Sequence, residues 1–401
     1  MNAVTAIDTG SERIPAPVAL CPVAAEPQVE VMALTSPDAA FADAWDALVR
    51  DAAEPDVFAE RWFAEASRHL LPPGVRLLAV HRNGQLIGLM PVIPATRYGR
   101  IPLRHTENWA HYHRFLGAPL LRRGHETEAW RALLTALDSD PAAGALLHVS
   151  GLVEQGPVHR GLIAAAQSLD RPCDAVHRIE RAMLATELSP DAYYAATVRK
   201  KKRKELGRLR TRLLEQGRVE TRRLGPNDAV GDWIEDFLTL ERAGWKGAAG
   251  SALACTAETA AFFRDVVTGA HAAGKLDIVR IDLNGVAIAM LVNLLAPPGA
   301  FSFKTAFDER LSRFSPGVLL QIDNLQLLAR GDIGWMDSCA VENHPMINSL
   351  WGERRAIVRV SVPLAGARRR ALFTAARSLE RAAAAVRALR NRPVPAVESD
   401  A

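Results

Sequence analysis

Two Asn-Gly dipeptides, Asn83-Gly84 and Asn284-Gly285, constrain this chain more than any other feature. Each stands between two apolar-rich runs: residues 75–81 and 85–93 around the first, 276–283 and 286–295 around the second. Asn-Gly takes the positive φ angles that a two-residue hairpin turn demands, so each dipeptide predicts a tight antiparallel hairpin. The surroundings repeat as well. Before the first hairpin the patterns predict a strand at 28–34 and two helices. One opens at Ser36-Pro37-Asp38, with Ser36 as N-cap and Pro37 at the first helical position, and carries the stripe Phe41, Trp45, Leu48. The other covers 55–70. After the hairpin come a strand at 115–121, a helix at 126–137, a strand at 145–150, a helix at 157–169 and a strand at 177–188.

The second hairpin has a similar setting. A long basic helix at 190–216 leads to a strand at 218–224 and helices at 227–243 and 256–273. A strand at 300–307, a helix at 315–330 and strands at 334–339 and 354–360 follow the hairpin. The expectation is an α/β (α+β) fold of two tandem units, each a mixed central sheet flanked by helices. The boundaries read as a disordered leader at 1–27, units at 28–189 and 190–365, and an Arg/Ala-rich helix and tail at 366–401.

Composition supports a folded chain. Of 401 residues, 49% are hydrophobic and 23% charged, which excludes collagen-like and wholly disordered classes. The formal net charge of +4 hides a strong asymmetry. Residues 199–212 carry a net +8 and residues 368–392 a net +7, leaving about −11 on the rest. Four of the seven lysines are Lys200, Lys201, Lys202 and Lys204. Cys21, Cys173, Cys255 and Cys339 make no short pair, so neither a zinc site nor a disulfide framework is expected. No apolar run is long enough to span a membrane and no secretory signal pattern opens the chain, so a cytoplasmic setting is expected.

By the second hairpin the sequence resembles a known family. The runs LDIVRIDLNGVAIAMLVNLL, FSFKTAFDERLSRFSPGVLLQIDNLQ and GWMDSCA are similar to GNAT-like acetyltransferases with tandem domains. Within these the chain looks like the cellulose-biosynthesis-associated acetyltransferase group, which is related to Fem-type aminoacyl transferases. The upstream PDVFAERWF and the basic helix fit, and the resemblance spans roughly residues 30–360. One segment departs from it. Where many members place a Gly and a Tyr-Lys-x-x-Trp pattern, this chain has His344-Pro345-Met346 before Trp351.

The resemblance implies an acyl-CoA-dependent N- or O-acyltransferase, with acetyl-CoA or another acyl-CoA as co-substrate, no metal, and an amine or hydroxyl acceptor, in polysaccharide or cell-envelope biosynthesis. Such chemistry needs backbone amides for a pyrophosphate, a place for the thioester carbonyl and a base. Ser315, Pro316 and Gly317 open a helix that can hold an anion, with Arg310 and Arg313 just before it; the same residues also suit an ordinary helix cap. Lys304, Phe307 and Asp308 end a strand and are candidate substrate contacts, although Asp308 equally suits a turn cap. Asp337 is either a base with a raised pKa or a structural carboxylate. Glu342 and His344 are further candidate bases, and Cys339 is a small buried residue rather than a nucleophile. Trp245 and Lys246 stand beside a Gly-rich stretch near the acceptor end that the resemblance implies.

His105, His111 and His113 cluster with Trp109 and Tyr112, which suggests a polar pocket rather than a metal site. The basic helix reads as a solvated connector, a phosphate or anionic-acceptor binder, or an RNA surface. The absence of aromatics from 199–212 argues against base stacking there. The C-terminal helix is a candidate for peripheral contact with a membrane, for packing on the body or for dimerisation. Two other readings stay open: a Fem-like aminoacyl transferase using aminoacyl-tRNA, and a non-catalytic module that binds an anionic polymer or membrane.

Overall fold

The computed structural model describes residues 26–34 and 37–390. Most of the expected leader, Ser36 and the final tail lie outside the described residues. The N-terminal half runs β1 (Gln28–Ala33), α1 (Ala39–Arg50), α2 (Arg61–Ser67), β2 (Arg76–Arg82), β3 (Gln85–Ala95), β4 (His105–Asn108), β5 (Leu120–Leu121), α3 (Glu126–Ser139), β6 (Leu146–Val153), α4 (Pro157–Ser168) and β7 (Asp174–Ala185). The C-terminal half runs α5 (Pro190–Thr197), α6 (Lys200–Leu214), β8 (Val219–Arg223), α7 (Val230–Ala243), α8 (Trp245–Ala248), α9 (Ala257–Ala272), β9 (Leu276–Leu283), β10 (Val286–Ala296), β11 (Gly299–Phe307), α10 (Pro316–Asn324), β12 (Trp335–Asp337), α11 (Pro345–Asn348), β13 (Glu353–Pro363) and α12 (Ala367–Arg390).

Both Asn-Gly turns form as the dipeptides require, with φ of 50° and 77° at Asn83 and Gly84, and 53° and 81° at Asn284 and Gly285. Other details differ from the sequence reading. The cap of α1 is Asp38, whose carboxylate accepts the Phe41 amide at 2.8 Å, and the helix begins at Ala39. The long basic helix is two helices, because Val198 and Arg199 adopt extended ψ angles of 120° and 141°. The strand expected at 115–121 shrinks to β5, while β4 forms within the histidine-rich segment.

All thirteen strands join one mixed sheet in the order β1-β2-β3-β4-β6-β13-β7-β12-β11-β10-β9-β8, with β5 off the path on β3. The order has an internal symmetry. Each half offers a four-stranded antiparallel meander followed by a parallel step, β4 to β6 and β11 to β12. The next strand is exchanged: β13, late in the chain, pairs with β6, and β7 pairs with β12. β7 and β13 then pair with each other and close the join.

The core crosses the join too. Phe58 and Phe63, from the N-terminal half, are at most 1% exposed and share a cluster with Phe262, Phe301 and Phe303. The Phe58 and Phe301 rings meet edge to face at 5.2 Å. Burying each such ring contributes roughly 1.5–3 kcal/mol, so the two halves hold each other in register.

Candidate active site

The parallel step in the C-terminal half is where backbone and side chains converge. β11 and β12 pair through Gly299↔Trp335, Ala300↔Met336 and Phe301↔Asp337, and there β12 ends. β11 continues to Phe307 with β10 on one side and no strand on the other. The strands therefore part, and beyond Phe301 no strand covers that edge of β11 among the described residues.

β11 also carries a bulge at this point. Val292 pairs with Lys304 but the next residue, Asn293, pairs with Ser302, leaving Phe303 without a partner. A bulge inverts the alternation of side chains beyond it. Phe301 and Phe303 pack on one face, and Ala306 joins the same cluster, whereas Phe307 packs on the other. Lys304 is thereby delivered to the Phe303 face. Without the bulge it would point the opposite way.

On that face the Lys304 ammonium donates to His113 Nδ1 at 2.9 Å. It also lies 5.1 Å from the Phe115 ring centre and 5.3 Å from that of Phe303, with exposed Tyr112 at 5.9 Å. Burial, reinforced by the charge of Lys246, lowers the Lys304 pKa to about 8. Burial lowers His113 to about 3, so its ring is neutral and free to accept at Nδ1. His111 supports this loop. Its Nδ1 accepts the His113 amide at 3.2 Å, its Nε2 bonds Ser67 Oγ at 3.0 Å, and its ring stacks on Phe63. Both ring nitrogens of His111 are thus engaged with protein.

Lys246 bridges two elements. Its ammonium donates to Glu241 Oε1 at 2.7 Å and to the Thr305 carbonyl at 3.2 Å. Glu241 is 5% exposed and also accepts the Leu253 amide, which explains a buried carboxylate at the end of α7. Trp245, 60% exposed, donates its amide to Glu309 at 2.6 Å and stands at the rim. Lys246 and Lys304, separate in the sequence reading, belong to one cluster.

The other candidates fall in different places. Asp337 is fully buried between two guanidiniums, with Arg181 at 2.6 Å and Arg355 at 3.0 Å, and its Oδ1 accepts the Cys339 amide. Burial alone would raise its pKa; the arginines and the amide outweigh that and hold it below the usual carboxylate value. Such a group is a poor proton acceptor. It locks β12, β7 and β13 together at the root of the divergence. Cys339 turns the chain at a φ of 53°, and burial pushes its thiol well above its ordinary value, which disfavours a thiolate. Glu342 accepts the backbone amide of Glu180 on β7. His344 caps α11 by accepting the Ile347 amide. Among the described residues, no hydrogen bond or ion pair joins either to the Lys304 cluster.

Residues 308–317 connect β11 to α10. Asp308 caps the turn Glu309–Phe314 and binds the exposed Arg310 side chain at 2.7 Å, so its turn-cap reading is the one observed. Arg313 lies over the Phe314 ring at 4.7 Å. Ser315 adopts a left-handed φ of 53°, and its carbonyl takes the amides of Val318 and Leu319. Pro316 has no amide hydrogen, so Gly317 offers the first free N–H of α10, while Arg310 is held by Asp308 and Arg313 reaches Gln216. A Cβ at Gly317 would come within 3.1 Å of Phe307, so Phe307 supports the helix from the opposite face of the sheet.

The N-terminal half shows the same step in closed form. β4 meets β3 in unbroken register, without a bulge. Asn108, 5% exposed, donates to the carbonyls of Gly117 and Ser150 and accepts the Ser150 amide at 2.8 Å. These bonds stitch the β4–β6 divergence shut.

A strand divergence beside a bulge, followed by a turn into a helix, defines a GNAT-type acyltransferase fold. Residues 200–343 match the family model described as an acetyltransferase (GNAT) domain. The fold is similar to that of FemX, with 12% identity, 83% of this chain and 96% of that chain covered, and a TM-score of 0.55. It is also similar to a protein of unknown function from Bacteroides thetaiotaomicron (9% identity, 81% and 97% covered, TM-score 0.53). The C-terminal domain of a putative lysylphosphatidylglycerol synthetase from Agrobacterium fabrum follows (10%, 86% and 97%, 0.50). No curated protein matches the sequence. The chain therefore carries a GNAT acetyltransferase-family domain at residues 200–343, within a fold similar to that of FemX.

Proposed function

We propose that the protein transfers an acyl group from acyl-CoA, most simply acetyl-CoA, to an amine or hydroxyl acceptor at the β11–β12 divergence. The observation that carries this reading is the Phe303 bulge, which delivers Lys304 to His113 at the root of an unpaired strand edge. The donor's phosphates would lie against Gly317, Arg310 and Arg313, and its thioester would run along the open edge of β11. Lys304 acts as the base. Burial and a neighbouring cation have tuned its pKa toward neutrality, the usual route to a lysine base. The acceptor attacks the carbonyl carbon, Lys304 takes the acceptor's proton, and the C–S bond breaks to release CoA as thiolate, which then takes a proton. Backbone N–H groups at the bulge polarise the carbonyl. Trp245, Lys246 and Tyr112 form the acceptor side. The N-terminal unit supplies His113 and shapes the acceptor pocket, and catalysis belongs to the second unit.

Thiol release from acetyl-CoA in the presence of a panel of amines and amino sugars tests the reading. Turnover should vanish in Lys304→Met and also in Lys304→Arg, whose guanidinium cannot give up its proton. Activity retained by Lys304→Arg would instead mark the residue as a fixed positive charge. The resemblance to Fem-type aminoacyl transferases supplies a second reading, in which the donor is an aminoacyl ester. A chain that ignores every acyl-CoA but retains charged tRNA would establish it.

A further inference from the structure

The acyl-transfer reading leaves α6 unused. Arg199, at its N-cap, and Lys200, Lys201, Lys204, Arg208 and Arg212 along it are all exposed. Among the described residues none of these six has an ion-pair partner; the pairs of this helix are Lys202–Glu205 and Arg210–Asp323. Lys200, Lys204, Arg208 and Arg212 recur every four residues, about every 6 Å along the axis. Leu206 and Leu213 face the other way, into the core. The first turn holds no acid and the helix has no side-chain cap, so cations crowd the end where the backbone dipole is already positive. That arrangement works against the helix.

Gly207 adds an independent sign. A glycine inside a helix weakens it relative to alanine, yet nothing lies within 4 Å of where its Cβ would stand. No internal packing demands it. Its missing side chain opens a groove lined by Lys200, Lys204, Arg208 and Thr211. At the far end of the same helix, Leu214 is 53% exposed, and Val286 at the tip of the second hairpin is 67% exposed. The hairpin is fastened there by the Arg218 amide on Asn284 Oδ1 and the Asn284 amide on the Arg218 carbonyl, each at 2.8 Å.

We propose that this face of α6 docks the protein on an anionic lipid bilayer, with the cations on lipid phosphates and Leu214 and Val286 in the headgroup boundary. Charge complementarity selects an anionic partner. The apolar pair selects a bilayer over a nucleic-acid strand, which would be gripped by stacking, for which residues 199–212 offer no aromatic ring. Arg313 reaches Gln216 just past the helix, at 3.5 Å, so docking would hold the 308–317 turn close to the membrane surface.

Sedimentation of the full chain with vesicles of phosphatidylcholine, with and without phosphatidylglycerol, is the test. The protein is expected to partition onto the anionic vesicles, to leave the neutral ones, and to be released by salt. Lys200→Ala/Lys204→Ala/Arg208→Ala should lower partitioning roughly 100-fold, at about fivefold per cation. Leu214→Ser/Val286→Ser, which keeps every charge, should lower it by roughly tenfold. Melting no lower than the parent's in both variants shows that they fold. Equal partitioning onto neutral vesicles, or a triple variant that binds as well as the parent, overturns the proposal. So does retention on single-stranded RNA without partitioning onto anionic vesicles. None of these readouts depends on acyl transfer.

Discussion

The two halves of the sheet share one plan and diverge at the same step, after a parallel pair of strands. In the N-terminal half Asn108 sews the gap with hydrogen bonds to Gly117 and Ser150, and β4 keeps its register. In the C-terminal half a bulge replaces that stitching, and β11 runs on beside an unpaired edge with Lys304 turned inward. One half closes the divergence with hydrogen bonds, and the other leaves the strand edge open where we propose that the substrate binds. The two halves also meet at the site: Lys304, the base we propose, sits on β11, but its hydrogen-bond partner His113 comes from the first half of the chain.

The largest effect should come from breaking the open side. Lys304→Met is expected to lower transfer by roughly 100- to 10,000-fold while raising the melting temperature at pH 7. The sign follows from linkage. The folded pKa is about 8 and the unfolded value is higher, so the unfolded chain binds more protons between them. The native lysine therefore costs stability below pH 8, a cost relieved as pH rises toward the unfolded value. The same pKa predicts a rate that climbs through about pH 8 and then levels. A rate that falls there would assign Lys304 to charge stabilisation. Next is the root of the divergence. Asp337→Ala leaves Arg181 and Arg355 as buried unpaired charges and should cost about 3–5 kcal/mol in a urea melt. Smaller again is the closed side: Asn108→Ala should cost about 1–3 kcal/mol, with kcat unchanged. If Asn108→Ala abolished turnover at full stability, the distinction between the halves would fail.

A second contrast concerns the two basic helices, which look alike in sequence. Four arginines of α12 are bonded to the body. Arg369 donates to the Asp138 and Asp140 carbonyls, Arg370 to that of Asp170, and Arg377 and Arg381 to the Asp174 carboxylate. Phe373 is buried beneath them. On α6 the exposed cations find no such partners. Charge density marked both segments, but pairing across the fold decides which charge is free.

What the sequence made legible follows the same line. Local chemistry wrote the hairpins, because Asn-Gly forces the turn wherever it stands. Tertiary pairing wrote the exchange of β7 and β13 and the hydrogen bond between Lys304 and His113, 191 residues apart. No local pattern announces a bulge at Phe303, so the face that Lys304 occupies could not be read from spacing. Asp337 stood out correctly as a buried carboxylate, but its two arginines, Arg181 and Arg355, lie on other strands and reverse the direction of its pKa.

The central claim is that one half, and one alone, accepts the donor. Isothermal titration of the full chain with acetyl-CoA tests it most directly. The account predicts a single equivalent bound per chain, retained in Asn108→Ala and weakened when Gly317→Leu crowds the turn above Phe307. Two equivalents per chain, or no binding of any acyl-CoA, would contradict it.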